Sequence, residues 1–212
     1  MNGGASMTDD LRSRIRRWDE AWFYRINGWD TPFSHFLRRM TNVGSSVFWT
    51  VLVGILFVLS WLLKLWVGWM IVKLFIANTT SVIVVLLAKL RIRRVRPCYV
   101  LSGVIVRTSP RYYRGSAFPS GHTQFFVSNM LVVTTVLASW ASWTLVPMLA
   151  VTILASAMVA LSRVHVGVHY PTDVIAGLIT GALIYCLTIA VVYPFIWSPI
   201  FAFLDHLIHL MP

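Results

Sequence analysis

Apolar runs of about twenty residues recur along this chain, at roughly 45–64, 66–88, 120–140, 144–162 and 172–194. A run of that length matches the hydrocarbon thickness of a bilayer when wound as an α-helix. The composition agrees: 58% of residues are hydrophobic and 12% charged, against roughly 25% charged in soluble domains. The pattern implies an all-α, polytopic membrane bundle of about five transmembrane helices, or six if a terminal segment also crosses.

Residues 1–44 form an N-terminal segment, 45–194 the membrane domain and 195–212 an apolar tail expected to lie on the surface. Residues 1–10 read as disordered, and 11–40 interleave arginines with aromatics, as in one or two interfacial amphipathic helices. No cleavable signal peptide is evident. Lys73 is expected to snorkel to the surface, and the run Asn78-Thr79-Thr80-Ser81 to serve as helix–helix glue. Trp49, Trp61, Trp66, Trp69, Trp140, Trp143 and Trp197 fall near span ends, as in an aromatic belt. Cys98 and Cys186 lie in different environments, and no bridge is expected between them. The formal charge of +11, in a chain embedded in lipid, points to anionic headgroups or an anionic substrate rather than nucleic acid.

Five spans place the N-terminus, the polar loop 89–118 and the turn 162–172 at one membrane surface. In KLRIRRVRP (89–97), Lys89 and Arg96 are seven apart and share a face if the helix continues that far. Pro97 pushes Arg96 toward an extended backbone, and Arg91, Arg93 and Arg94 read as a cationic membrane flank. In AFPSGHTQFF (117–126), Ser120 suits an N-cap, the first amides of the following helix suit an anion, Gly121 permits close approach, and His122 stands beside them. In SRVHVGVHYPTD (162–173), His169 and Asp173 are four apart, the spacing of an imidazole oriented by a carboxylate. Arg163 offers a fork that matches phosphate oxygens. His165 raises a metal reading, but Gly167 and Pro171 argue against a regular helix there, and no further ligands complete a shell. Together these groups suit a doubly charged tetrahedral anion with a nucleophile and an acid beside it.

The spacing Lys89-x6-Arg96-Pro97, then Pro119-Ser120-Gly121-His122, then Ser162-Arg163-x5-His169-x3-Asp173 resembles the three-part signature of the type 2 phosphatidic acid phosphatase (PAP2) superfamily, which includes bacterial lipid phosphatases and haloperoxidases. The resemblance implies that His169 attacks phosphorus, Asp173 holds its tautomer, and His122 protonates the leaving oxygen. Lys89, Arg96, Ser120, Gly121 and Arg163 would hold the phosphoryl group. It implies no metal and no cofactor, a phosphorylated membrane lipid as substrate and the bacterial inner membrane as location.

Charge and resemblance disagree on sidedness. Seven arginines precede the first span and eight basic residues lie in 89–114, which by the positive-inside rule puts this face in the cytoplasm. Bacterial members are described as acting on the outer face, and the expectation here follows them. A lipid phosphotransferase is the competing reading within the family. A transporter would spread polar groups through the spans, whereas here they collect at one surface, and a lipid-binding scaffold would not need the full chemical set. The N-terminal segment, on the same face, is placed to help admit lipid.

Overall fold

The computed structural model describes residues 7–30, 32–63, 68–108, 115–200 and 202–203. Lys64, Trp66, Arg111, Arg114 and the tail residues Asp205, His206 and His209 lie outside them, as do residues 1–6. The described residues are helical throughout their regular elements: α1 (Met7–Asn27), α2 (Phe33–Val43), α3 (Ser46–Leu62), α4 (Gly68–Arg91), a short α5 (Pro97–Val100), α6 (Gly121–Trp140), α7 (Leu145–His165) and α8 (Pro171–Leu187), which continues as a more widely wound π-helical segment over Thr188–Trp197.

Four helical stretches are long and apolar enough to cross a bilayer, at Met70–Arg91, Gly121–Trp140, Ser142–His165 and Pro171–Ile200. The pair α2 and α3, bent by 60° at their junction, is long and apolar enough only when taken together, and counts as a fifth if it forms one span. The break follows from local chemistry. Ser45 caps α3 by accepting the Phe48 amide at 3.0 Å, and Gly44 sits where a Cβ would lie 2.8 Å from Val159 and 3.0 Å from the His122 carbonyl. The apolar run at 45–64 corresponds to α3, one arm of this bent pair. The last of the four stretches carries on to Ile200, so the helix runs past 194 into the first residues of the apolar tail.

The core has two parts. The larger joins Trp49 and Val53 of α3, Leu74 and Ala77 of α4, Phe125, Phe126 and Val132 of α6, and Val159 of α7. Trp49 is therefore a core residue, 3% exposed and edge-on to Phe126, not part of an interfacial belt. Trp61, Trp140 and Trp143 stay exposed at the far ends of their helices, as a belt requires. The smaller part joins Phe23 and Ile26 of α1 to Val164 of α7 and to Tyr170 and Val174 of α8. So α1 is docked on the bundle by one face, while Trp18, Trp22 and Tyr24 on the other remain exposed.

Several polar side chains inside the bundle are paired across helices. The Asn78 and Asn129 amides donate to each other at 3.1 and 3.3 Å, the Ser81 and Ser128 hydroxyls meet at 3.1 Å, and Thr134 meets Thr152 at 2.8 Å. Asn78 and Ser81 are helix–helix glue as expected; Thr79 instead donates to Phe75 in its own helix. Lys73 places its Nζ 4.6 Å from the centre of the Tyr193 ring, a cation–π contact in place of simple snorkelling.

Candidate active site

Each cluster of chemical residues sits at a helix end on one face of the bundle, and backbone contacts lock those ends together. The Ser120 amide, at the start of α6, donates to the Asp173 carbonyl in the first turn of α8 at 2.9 Å. Lower down, Gly177 and Gly181 let the two helices close: a Cβ on either would lie 2.7 Å from a carbonyl of α6, that of Ser120 or that of Gln124. Ser116 laces the first two segments. Its Oγ accepts the Arg94 amide at 3.1 Å and the Phe118 amide at 3.2 Å, and the Ala117 amide donates to the Arg94 carbonyl at 2.8 Å.

Helix α4 stops at Arg91, so Lys89 and Arg96 do not share a helical face. Arg96 is extended (φ −75°, ψ 150°), as a residue before proline should be. This turns its guanidinium inward, where only 3% of the residue is exposed. Arg96 Nη1 donates to the Val168 carbonyl and lies 3.1 Å from His169 Nε2; Nη2 donates to the Ser116 carbonyl. A guanidinium only donates. Nε2 must then present its lone pair to Arg96, which assigns the proton of the neutral ring to Nδ1.

That Nδ1 faces Asp173 Oδ2 at 3.6 Å, too long for a hydrogen bond, so the expected imidazole–carboxylate pair is aligned but not closed. Asp173 itself is fully buried and held on both oxygens. Oδ2 accepts the Tyr170 amide at 2.8 Å and Oδ1 accepts Arg94 Nη1 at 2.6 Å. Burial first, then the charges of Arg163, Arg96 and Lys89, hold the His169 imidazole well below the ordinary histidine range.

Arg163 is completely buried at the end of α7 and donates to Thr41 Oγ1 on α2. Lys89, in the last turn of α4, lies within electrostatic reach of Arg96, Arg163 and Asp173, and His122 within reach of Arg163, His169, Lys89 and Arg96. Ser120 occupies the N-cap position of α6 without capping by its side chain; its Oγ instead takes a hydrogen bond from Thr123 at 3.0 Å. The first amides of α6 thus lack that internal acceptor and suit an anion. At Gly121 an added Cβ would be in ordinary contact with Val85 at 3.5 Å, so neighbouring packing does not demand a glycine there.

Arg94 and His165 take places the sequence did not indicate. Arg91 and Arg93 are exposed, as a membrane flank should be, but Arg94 points inward and bridges Asp173 to Asp19 of α1 at 2.6 and 2.5 Å. Burial opposes its charge, yet the two carboxylates prevail and raise its pKa. His165 turns away from His169, with Nδ1 3.2 Å from the Ile26 carbonyl. Its own carbonyl accepts Asn27 Nδ2 at 3.0 Å and Arg107 Nη1 at 2.9 Å. Gly167 (φ +91°) completes this join: a Cβ there would lie 2.9 Å from the Ile105 carbonyl. Asp19, Asn27 and Thr41 contribute to the site without having been singled out in the sequence.

A lipid A 1-phosphatase of Rhizobium johnstonii (strain DSM 114642 / LMG 32736 / 3841) is 32% identical over 174 residues, covering 74% of this chain and 67% of the relative. One from Rhizobium etli (strain ATCC 51251 / DSM 11541 / JCM 21823 / NBRC 15573 / CFN 42) is 36% identical over 135 residues, 61% of this chain and 53% of the relative. Two solved structures share the fold. A transmembrane PAP2-type phosphatidylglycerolphosphate phosphatase from Bacillus subtilis superposes with a TM-score of 0.69 at 24% identity, over 82% of this chain and 84% of that one. Aquifex aeolicus LpxE gives 0.65 at 20%, over 82% and 95%. Fold, site and relatives together define a multi-pass membrane phosphatase. The chain belongs to the PAP2 superfamily, which matches residues 68–197.

Proposed function

We propose that the chain removes phosphate from a phosphorylated membrane lipid, without a metal ion, by way of a phosphohistidine on His169. The observation that carries this reading is the placement of His169, with Nε2 turned to Arg96 at 3.1 Å and Nδ1 to the Asp173 carboxylate. A phosphoryl group whose oxygen takes over the Arg96 Nη1 hydrogen bond frees the lone pair on Nε2, the one ring nitrogen that carries it.

In the first step Nε2 attacks phosphorus and the bond from phosphorus to the lipid oxygen breaks. His122 delivers a proton to that oxygen. In the second step His122 takes a proton from water, the water oxygen attacks phosphorus, the P–N bond breaks and phosphate leaves. Lys89, Arg96, Arg163, Ser120 and the amide of Gly121 hold the phosphoryl oxygens and offset the charge that spreads over them. Fixed cations thereby take the electrostatic part that a divalent ion plays in other phosphoryl-transfer enzymes.

The site lies at the ends of membrane helices, at the depth where a lipid phosphate sits while its tails remain in the bilayer. Because two relatives are lipid A 1-phosphatases, a lipid A 1-phosphate heads the substrate panel. Undecaprenyl pyrophosphate, phosphatidylglycerophosphate and phosphatidic acid follow. We place the site on the outer face of the inner membrane.

Purified protein assayed on this panel in chelator tests the reading. Phosphate release that persists in chelator and disappears in His169→Ala supports it. Release that depends on added metal, or survives His169→Ala, overturns it. A C-terminal reporter tests sidedness, since α8 runs away from the site: a cytoplasmic C-terminus fits an outward site, and an external one contradicts it.

A further inference from the structure

We propose that Asp19, on the N-terminal helix and outside the matched family region, is a positioning residue that acts on His169 through Arg94 and Asp173. The inference rests on the reaction proposed above.

Asp19 is completely buried, although it lies on a helix otherwise rich in exposed arginines. Its carboxylate accepts three hydrogen bonds and an ion pair's charge at one place. Oδ1 takes the Thr172 amide at 2.9 Å. Oδ2 takes the Thr172 hydroxyl at 2.6 Å and Arg94 Nη2 at 2.5 Å. Arg94 in turn donates through Nη1 to Asp173 Oδ1 and to Thr172 Oγ1, both at 2.6 Å. Its guanidinium also lies 4.3 Å from the centre of the Tyr170 ring. Tyr170, Thr172 and Asp173 form the turn that begins α8 and follows His169. Asp19 therefore grips both the backbone of that turn and the arginine that holds Asp173.

Docking α1 does not require this carboxylate. Phe23 and Ile26 already bury against α7 and α8, and Asn27 ties the end of α1 to Ile105 and His165. A buried carboxylate is costly unless its charge is paired and its oxygens are hydrogen-bonded. Here it shares a single cation with Asp173. Without Asp19, Arg94 is left to Asp173 alone. The carboxylate that faces Nδ1 is then more fully neutralised and the turn loses two of its anchors. His169 should become both less well oriented and harder to protonate. The charged and titratable groups around it are Lys89 of α4, Arg96 in the following loop, His122 of α6, Arg163 of α7 and Asp173 of α8. Removing a negative charge behind them makes that setting more positive.

The test uses full-length protein in detergent with p-nitrophenyl phosphate and the best lipid from the panel. Asp19→Asn should lower kcat with KM unchanged, by about 10–100-fold if it behaves like groups that orient metal-bound histidines from one step away. It should also move the acid limb of the pH profile to lower pH. Thr172→Val keeps the side-chain shape, breaks the hydroxyl link and should move kcat the same way by less; it carries the test if Asp19→Asn fails to fold. Arg16→Ala, at an exposed ion pair on the same helix, should match wild type. Loss of activity only in proportion to folded protein, with an unmoved pH profile, overturns the inference. So does wild-type behaviour in Asp19→Asn. Titration of the His169 ring by NMR separates this from the proposed reaction. Inactive wild-type protein would sink the reaction alone, and an Asp19→Asn midpoint that is not lowered would sink the brace whether or not the protein is active.

Discussion

The backbone amide of Ser120 donates to the carbonyl of Asp173 at 2.9 Å, joining the first turns of two membrane helices that each bring one histidine segment to the site. The contact exists because Gly177 and Gly181 remove the side chains that would hold α6 and α8 apart. A Gly177→Val substitution would set Cβ 2.7 Å from the Ser120 carbonyl and 2.9 Å from Thr123 Cβ. It should cost about 1–3 kcal/mol of stability, as overpacking does, and reduce kcat by moving Ser120 and His122 relative to His169. Thermal unfolding in detergent and turnover on one substrate check both. Gly54→Ala, where nothing lies within 4 Å, should leave activity at the wild-type level.

Much of this site is legible in the sequence because its chemistry is local. Lys89, Arg96, Ser120, Gly121, His122, Arg163, His169 and Asp173 stand in three short segments, and five spans bring those segments to one surface. Asp19 is different. It accepts from Thr172, 153 positions away, and within its own helix it is one of four acids interspersed with arginines. Its place four before Phe23 and seven before Ile26 sets it on the buried stripe of α1, but its partners Arg94 and Thr172 lie far off in sequence. Arg94 was hidden for the same reason: among Arg91, Arg93 and Arg94, only the folded chain shows which one turns inward. The close approach of Gly44 to His122 and Val159 was not legible either, because both lie far off in sequence.

Catalysis of phosphate ester hydrolysis can require accelerations on the order of 10²¹, whereas a general acid supplies about 10²–10⁴. Most of the rate must come from positioning and fixed charge. Arg163→Ala should therefore lower kcat/KM at least as much as His122→Ala, a fall of about 10²-fold or more. Steady-state kinetics of the two variants on the same substrate decide the ranking. Near-normal turnover in Arg163→Ala would reverse it.

In the proposed reaction His169 attacks only as the neutral ring. Burial and the surrounding cations hold its pKa well below the ordinary histidine range, so the neutral form persists as pH falls through that range and is lost only below the lowered pKa. The acid limb of kcat/KM, which reports the free enzyme, should lie below pH 6.5, the ordinary histidine value. A limb at or above that pH would mean that the nucleophile titrates as an exposed histidine does.

The Asn78–Asn129 amide pair, in the membrane interior, should matter for stability and not for chemistry. Asn129→Leu leaves Asn78 without its partner across the helices and should cost about 0.6 to 1.7 kcal/mol, the range for interhelical hydrogen bonds in bilayers. Its kcat should stay near wild type. A large loss of kcat with unchanged stability would give this pair a part in the reaction.

The most direct measurement is rapid quenching of the purified protein during turnover with a ³²P-labelled lipid phosphate, followed by peptide mapping. An acid-labile, base-stable phosphoryl adduct on His169, absent from His169→Gln along with activity, is the predicted result. An active wild-type enzyme that traps no such adduct, or a His169→Gln variant that still hydrolyses substrate, would contradict the account.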